Sequence, residues 1–518
     1  MYGQSYHSPE KGSKLFPANT FRWQVINTVP VARSPFVRKS FFSRLRKRLL
    51  IQLISFNEYL FKKIWYVHDD NHLLYQLSPE TRKLLQYLIK HDLLENWYFG
   101  RVAPAVPHTR ALILRPGSFK GPNGQAYALS GANGVGVGPT YDAAAKPALG
   151  EHIERLSSAG FWWEDPRIFS AKYNPKNKKM LDPTRFLFLS DDQKNDALFK
   201  DRLASGFDYQ KQTIRWQYAT HFLTGKRYYV PASLCYMFSP TGMQSDPYYP
   251  EVTSNGVAAH TDRIEAQNRA LLEYIERDVL MRAWYHKRAG KKISLQSLTE
   301  YFSEAAEIAA ADTKDIKTYI IDLTDDLNVP TLVGVQTSTD PRVRTLVFTA
   351  ASDLQYDLAL EKVLAEIKRF MNLVYYTATK PMPDTYTQMR EQADSFAGRG
   401  GLWAHAEMLP YMDWFVQCPE VAYSDIIQSS KAQALPDGSY KNRKAYLQEV
   451  CHKHDLSVYM VEFKNTVLKY SGLKVVRAVT DDLVPVFFDE KNRPLRLRRF
   501  THKNGHPVTL NPAPHPYL

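Results

Sequence analysis

One string occurs twice in matched settings, and it limits what this 518-residue chain can fold into. Ala148-Leu149-Gly150-Glu151-His152-Ile153-Glu154-Arg155 is echoed by Leu271-Leu272-Glu273-Tyr274-Ile275-Glu276-Arg277, and both read apolar-x-Glu-x-Ile-Glu-Arg. Lys362-Val363-Leu364-Ala365-Glu366 gives a looser third version. Spacings of about 120 and then about 90 residues are too long for a solenoid and point to one folding unit duplicated within a domain. Apolar residues at helical spacing place the echoes on helices at about 141–158, 262–286 and 356–376. Residues 317–336 read as two strands joined by a turn at Asp325-Asp326-Leu327-Asn328, and 472–488 read the same way. The expected class is therefore α/β, with internally duplicated sheet-and-helix units.

Residues three apart on a helix share a face. Glu151 then points with Glu154, and Glu273 with Glu276. Like charges so placed repel, so something positive belongs beside them. Magnesium suits, because it is a hard cation that takes oxygen ligands and keeps phosphate oxygens in its shell. Arg155 and Arg277 match phosphate geometry. A solvated charged helix face is the plainer alternative for one such string alone. Against it stand the repetition and the loop Thr253-Ser254-Asn255-Gly256, which precedes the helix carrying Glu265, Glu273, Glu276 and Arg277. Gly and Asn tolerate the backbone of a tight, ligand-facing turn.

Ahead of this region, Ser78-Pro79-Glu80 signals a helix start with Leu84, Leu85 and Leu88 as its stripe. Apolar periodicity from Arg38 to Trp65 adds another helix, so residues 1–105 read as an arm and a small, mainly helical subdomain. Residues 106–518 form the main domain. The longest early apolar run, Leu49 to Phe56, is far short of the roughly 20 residues a membrane span needs. The net charge of +14 gathers near both ends without a nucleic-acid module, so no nucleic-acid partner is expected. Cys235, Cys418 and Cys451 are too few and too scattered for a disulfide framework, which fits a reducing cytoplasm, as does an N-terminus without a signal peptide's apolar core. His68, His72 and Cys451-His452-Lys453-His454 lack enough partners for a metal site and read as surface or helix-end residues.

The run SNGVAAHTDRIEAQNRALLEYIERD, residues 254–278, closely resembles the central signature of YcaO proteins. GPTYDAAAKPALGEHIER, 138–155, is similar to the family's first motif, and DLALEKVLAEI, 357–367, to its third. The resemblance implies a YcaO-type α/β fold over roughly residues 106–518, with ATP and Mg2+ as cofactors. By position it makes Glu151, Glu154, Glu273 and Glu276 metal-facing. It puts Arg155 and Arg277 near the phosphates, Lys362 and Glu366 among the cofactor-binding residues, and Ser254, Asn255 and Glu265 in the nucleotide pocket. The chain departs from the family at Val137, Pro147, His260 and Lys362, where Lys, Ser, Gly and Arg are usual.

The end, Pro512-Ala513-Pro514-His515-Pro516-Tyr517-Leu518, is stiff and extended. It resembles the ends of azoline-forming YcaO cyclodehydratases, where the C-terminus reaches the active site. That likeness makes Pro514, Pro516 and Leu518 the candidate catalytic end. It implies cyclodehydration of Cys, Ser or Thr in a ribosomally made precursor peptide, as in bacteriocin maturation. The implied partners are a ThiF-like leader-binding protein and a flavin-dependent dehydrogenase, with a homodimeric chain. The alternatives are a docking scaffold with weak catalysis and a thioamide- or amidine-forming enzyme.

Overall fold

The computed structural model describes residues 74–101, 110–120, 126–128, 133–195, 208–237, 246, 249, 252–340, 345–371, 388, 389, 391, 393–431 and 439–517. The expected arm, the helix at Arg38–Trp65, the run at Leu49, His68, His72 and Leu518 lie outside the described residues. The chain divides into two compact units, Met1–His152 and Ile153–Leu518.

In the first unit, helix α1 (Pro79–Lys90) starts where Ser78 caps it, and Leu85 and Leu88 are buried beneath it. Strand β1 (Leu94–Arg101) pairs antiparallel with β2 (Arg110–Pro116), which pairs with β3 (Gly134–Gly138). The described part of the front section thus pairs a helix with a strand at a sheet edge. Its residues, LENWYFGR, include aromatics that suit a pleated, half-buried surface. Helix α2 (Tyr141–Ala159) follows β3. Strand and helix approach closely because the strand alternates glycine; a Cβ on Gly136 would stand 2.0 Å from Ala144 O. Val137 faces the other way, onto Ala111 of β2, so at this departure from the family pattern stands a packing side chain.

Among its described residues the second unit holds two large sheets and a two-stranded hairpin, His502–Lys503 with His506–Pro507. The first has the order β4 (Phe169–Ala171), β5 (Ile214–His221), β13 (Val458–Glu462), β14 (Lys474–Thr480), β7 (Val257–His260), with β6 (Arg227–Pro231) also on β5, all antiparallel. The second has the order β11 (Leu346–Ser352), β10 (Thr331–Ser338), β9 (Ile316–Asp322), β8 (Lys291–Ile293), β12 (Glu420–Val421), parallel only at its last pair. Helix α3 (Arg263–Tyr285) packs on β7 and β14 of the first sheet and on β11 of the second. A helix covered on opposite sides must be apolar nearly all round. Leu271, Leu272, Ile275, Val279, Leu280 and Trp284 are accordingly all buried. Helix α4 (Tyr356–Met371) covers β10 and β11.

The duplication is a strand-then-helix step taken three times: β3–α2, β7–α3 and β11–α4. Glu151, Glu273 and Glu366 each stand ten residues after the first residue of their helix, Tyr141, Arg263 and Tyr356. Glu154 and Glu276 stand three further on, where α4 has Arg369.

The two-strand reading of 317–336 matches β9 and β10, with Asn328 at φ +55 in the turn. The reading of 472–488 holds only for β14. Leu483–Phe487 is buried without pairing in a ladder, because Pro485 has no N–H to give one. Val484 N instead donates to Asp278 Oδ1 of α3 at 2.9 Å. Cys235, Cys418 and Cys451 are free and buried, and His452 and His454 close a helix, Tyr440–Lys453 (α5). No helix among the described residues is long and apolar enough to cross a membrane. Several C-terminal basic groups are engaged inside the fold: Arg493 with Glu490, and Arg499 with Asp278 and Asp326.

Candidate functional site

Glu265, Glu273, Glu276 and Arg277 of the second unit lie on helix α3. Glu276 Oε2 accepts from Ser352 N at the end of β11 (2.9 Å), and Glu276 Oε1 takes Arg277 Nη1. Arg277 Nη2 also donates to Glu273 Oε1 at 3.2 Å. On α2, Glu154 Oε2 accepts from Ala259 N of β7 at 3.0 Å. Each of these glutamates therefore grips the strand that leads into the next helix: Glu154 the strand before α3, Glu276 the strand before α4. Glu151, in the first unit, accepts from Val135 N of its own β3 (2.7 Å).

Burial is the largest influence on the Glu273 carboxyl, opposed by Arg277, reinforced by Glu276 and opposed again by Arg477 and Arg155; it is pushed up to about 7. An acid whose folded pKa lies above its unfolded value keeps its proton longer in the folded state. Its contribution to stability is complete below the ordinary value of 4.5 and is lost as pH rises through about 7. Metal-free protein is therefore expected to lose stability between those values, and Glu273→Gln to flatten that slope. Thermal unfolding across pH checks this; an unchanged slope in the variant contradicts it.

The Ser-Asn-Gly loop lies on the same face. Gly256 has φ +71, and a Cβ there would stand 2.7 Å from Tyr274 Cδ2, so only glycine lets the loop close on α3. Arg477 of β14 holds the loop through Thr253 O, is itself anchored on Leu234 O, and lies within electrostatic reach of Glu273 and Glu154. Ser254 O accepts from Val257 N at 3.0 Å, closing the turn. Asn255 Oδ1 is buried without a hydrogen-bond partner. His260 accepts from Asp262 N and meets Tyr440 edge-on, so it braces Asp262, whose side chain caps the start of α3.

A second cluster holds Glu265 and Lys362. Lys362 Nζ is 2.6 Å from Asp353 Oδ2; Arg443 Nη1 is 3.2 Å from Asp353 Oδ1, and Arg443 Nη2 is 3.6 Å from Glu265 Oε1. Glu366 pairs with Arg369 on α4 at 3.1 Å.

The tail is packed, with Pro514 and Pro516 both buried. Trp284 Nε1 donates to Ala513 O (2.8 Å), Arg399 Nη1 to His515 O (3.0 Å), and Arg399 pairs with Glu490. Beyond these prolines, the Tyr517 ring lies 4.4 Å from the Arg277 guanidinium. Burial chiefly raises the Tyr517 hydroxyl pKa, with Arg277 opposing and Glu276, Glu273 and Glu366 adding to the rise. The tail thus brings an aromatic side chain to the carboxylates of α3. Arg477, Asp353, Arg443, Arg399 and Tyr517 were missed by sequence reasoning. The first four have no repeated motif around them, Tyr517 follows the alternating prolines without sharing their pattern, and only the fold brings them here.

Among the described residues no three His, Cys, Asp or Glu side chains stand as a ready metal cage. The donors fit a different arrangement. Partly to fully buried glutamates held on arginine, and an unsatisfied buried Asn255 oxygen in the loop before α3, suit a hard cation that completes its shell with phosphate oxygens.

The YcaO cyclodehydratase family, described as ATP- and Mg2+-binding, matches residues 135–484, about two thirds of the chain. The chain belongs to the YcaO family. ATP and Mg2+ are that family's cofactors, and cyclodehydration is its enzymatic class. A heterocyclase in complex with substrate and cofactor shares the fold at TM-score 0.59 and 19% identity, over 85% of this chain and 57% of that one. The heterocyclase TruD is similar at TM-score 0.44 and 19% identity, over 73% of this chain and 52% of that one. YcaO from Methanopyrus kandleri, bound with AMPPCP and Mg2+, is similar at TM-score 0.49 and 16% identity, over 78% of this chain and 91% of that one. The YcaO chain here thus spans little more than half the length of the two heterocyclases. A comparison with curated protein sequences finds no match.

Proposed function

We propose that this YcaO chain uses ATP and Mg2+ to convert Cys, Ser or Thr of a ribosomally made precursor peptide into thiazoline or oxazoline. The observation that carries the reading is the packed tail, which lays Tyr517 over Arg277 beside Glu273 and Glu276. An extended proline-rich segment lodged against the polar centre of a YcaO fold shows that a peptide backbone can lie there.

In this reading a side-chain thiol or hydroxyl attacks the preceding amide carbon. The resulting alkoxide attacks the ATP γ-phosphorus and ADP departs. Loss of phosphate then closes the C=N bond of the ring, and the amide nitrogen gives up its proton. Bound Mg2+ supplies charge neutralisation on the phosphates. Glu154, Glu273 and Glu276 are the proposed metal-facing carboxylates of the second unit. Arg155, Arg277 and Lys362 are assigned to the phosphate side, Glu366 to the cofactor-binding set beside them, and Ser254, Asn255 and Glu265 to the nucleotide pocket. Pro514 and Pro516 have no ionisable group, so their part is to hold the tail extended. Residues 106–518 are taken as the catalytic body and the preceding residues as a partner-docking section. A ThiF-like presenting protein, a flavin-dependent dehydrogenase acting on the product, and a homodimer complete the proposal.

Purified chain, precursor peptide, ThiF-like protein, ATP and Mg2+ are expected to release one phosphate for each water mass lost from the peptide. Phosphate assay and mass spectrometry of the same samples check the ratio. Peptide that stays at full mass, or rings that form without ATP, would overturn the reading.

A further inference from the structure

The two clusters are joined by one dipeptide at the end of β11. Ser352 N donates to Glu276, and Ser352 O accepts from Lys362 Nζ at 3.3 Å. The next residue, Asp353, takes Lys362 on Oδ2 and Arg443 on both oxygens. Arg443 reaches on to Glu265, which also accepts from Arg269 at 3.0 Å and from Asn268 at 3.2 Å. Asp353 and Arg443 are almost wholly buried, whereas the Lys362 side chain is 43% exposed. Burial alone pushes the Asp353 carboxyl up, but Lys362 and Arg443 outweigh it and hold the group below its ordinary value, hence ionised. Arg443 Nε and Asn268 Oδ1 are buried without partners, so the cluster keeps unused hydrogen-bonding capacity.

A lysine is a point charge on a flexible stem and, left alone, sweeps many rotamers. Here a buried carboxylate and a carbonyl pin an exposed ammonium in one place. We propose that Asp353 is a positioning residue for the nucleotide triphosphate, acting through Lys362 and tethered by Arg443. The proposal rests on the ATP reading above. It makes the Ser352-Asp353 step the link that sets a phosphate-side cation in register with Glu276.

Asp353 also accepts from Gln355 N (3.2 Å) at the start of α4, and a helix cap is the rival explanation. Asparagine caps as well as aspartate but cannot hold an ammonium by charge. Asp353→Asn is therefore expected to stay folded at a lowered unfolding temperature, because buried Arg443 loses its carboxylate partner, while raising the KM for ATP about tenfold, with a smaller change in kcat. Lys362→Ala is expected to raise the KM similarly, and the double variant no further than either single one. An unchanged KM in Asp353→Asn, or effects that multiply in the double variant, would overturn the proposal. Should Asp353→Asn not fold, Arg443→Lys replaces it. Its KM is expected to rise in the native background and not beside Lys362→Ala; equal rises in both overturn the proposal. Wild-type protein that neither binds nor hydrolyses ATP defeats the ATP reading itself, a distinct result.

Discussion

Glu276→Gln is expected to lower ATP turnover by roughly 100-fold or more while leaving the protein folded. Glutamine keeps an oxygen for Ser352 N, so the link from α3 to β11 survives. It removes the charge that faces Arg277, which is left with Glu273 as its glutamate partner. Glu276 is one of the groups that raise the Glu273 carboxyl, so its loss lets Glu273 ionise more readily, but that one remaining charge is then the glutamate partner of Arg277. The negative charge available to a metal at this point on α3 then falls sharply. Phosphate release measured beside the unfolding temperature separates chemistry from folding. Turnover within a few-fold of wild type would remove Glu276 from the metal-facing set.

Truncation before Ala513 is expected to destabilise the protein by roughly 2–6 kcal/mol and to abolish ring formation. The estimate counts two buried donors left without acceptors, Trp284 Nε1 and Arg399 Nη1. Each such loss costs about 1–3 kcal/mol. The buried Ala513, Pro514, His515 and Pro516 are removed as well. Arg277 loses the Tyr517 ring, a cation–π contact worth about 1–2 kcal/mol when shielded from water. Denaturant titration reads the first effect and peptide mass the second. A truncated chain as stable and as active as the full one would show that the tail's seat in the fold does nothing for either.

The local devices were legible because each rests on neighbours in sequence. Ser78 and Pro79 start α1 as their chemistry requires. The bounds of α2 and α3 fall within a residue of those read from periodicity. Gly256 was marked as a turn residue, and it occupies the left-handed backbone that glycine tolerates. Where reading failed, a long-range partner or a missing donor decided the outcome. Residues 94–101 became a strand by pairing with β2, and 483–487 stayed out of a ladder around Pro485.

The repeated glutamates were determined by the sequence alone, since a helical period fixes which residues share a face. What those carboxylates touch was decided only in three dimensions. Glu154 and Glu276 each bind the strand of the next strand–helix step, over 105 and 76 residues of chain. Arg477, Asp353, Arg443 and Tyr517 arrive from four other segments to complete the site. Charges buried together need partners at hydrogen-bond distance. Distances of that kind belong to the packing of sheets on helices, and no stretch of sequence carries them.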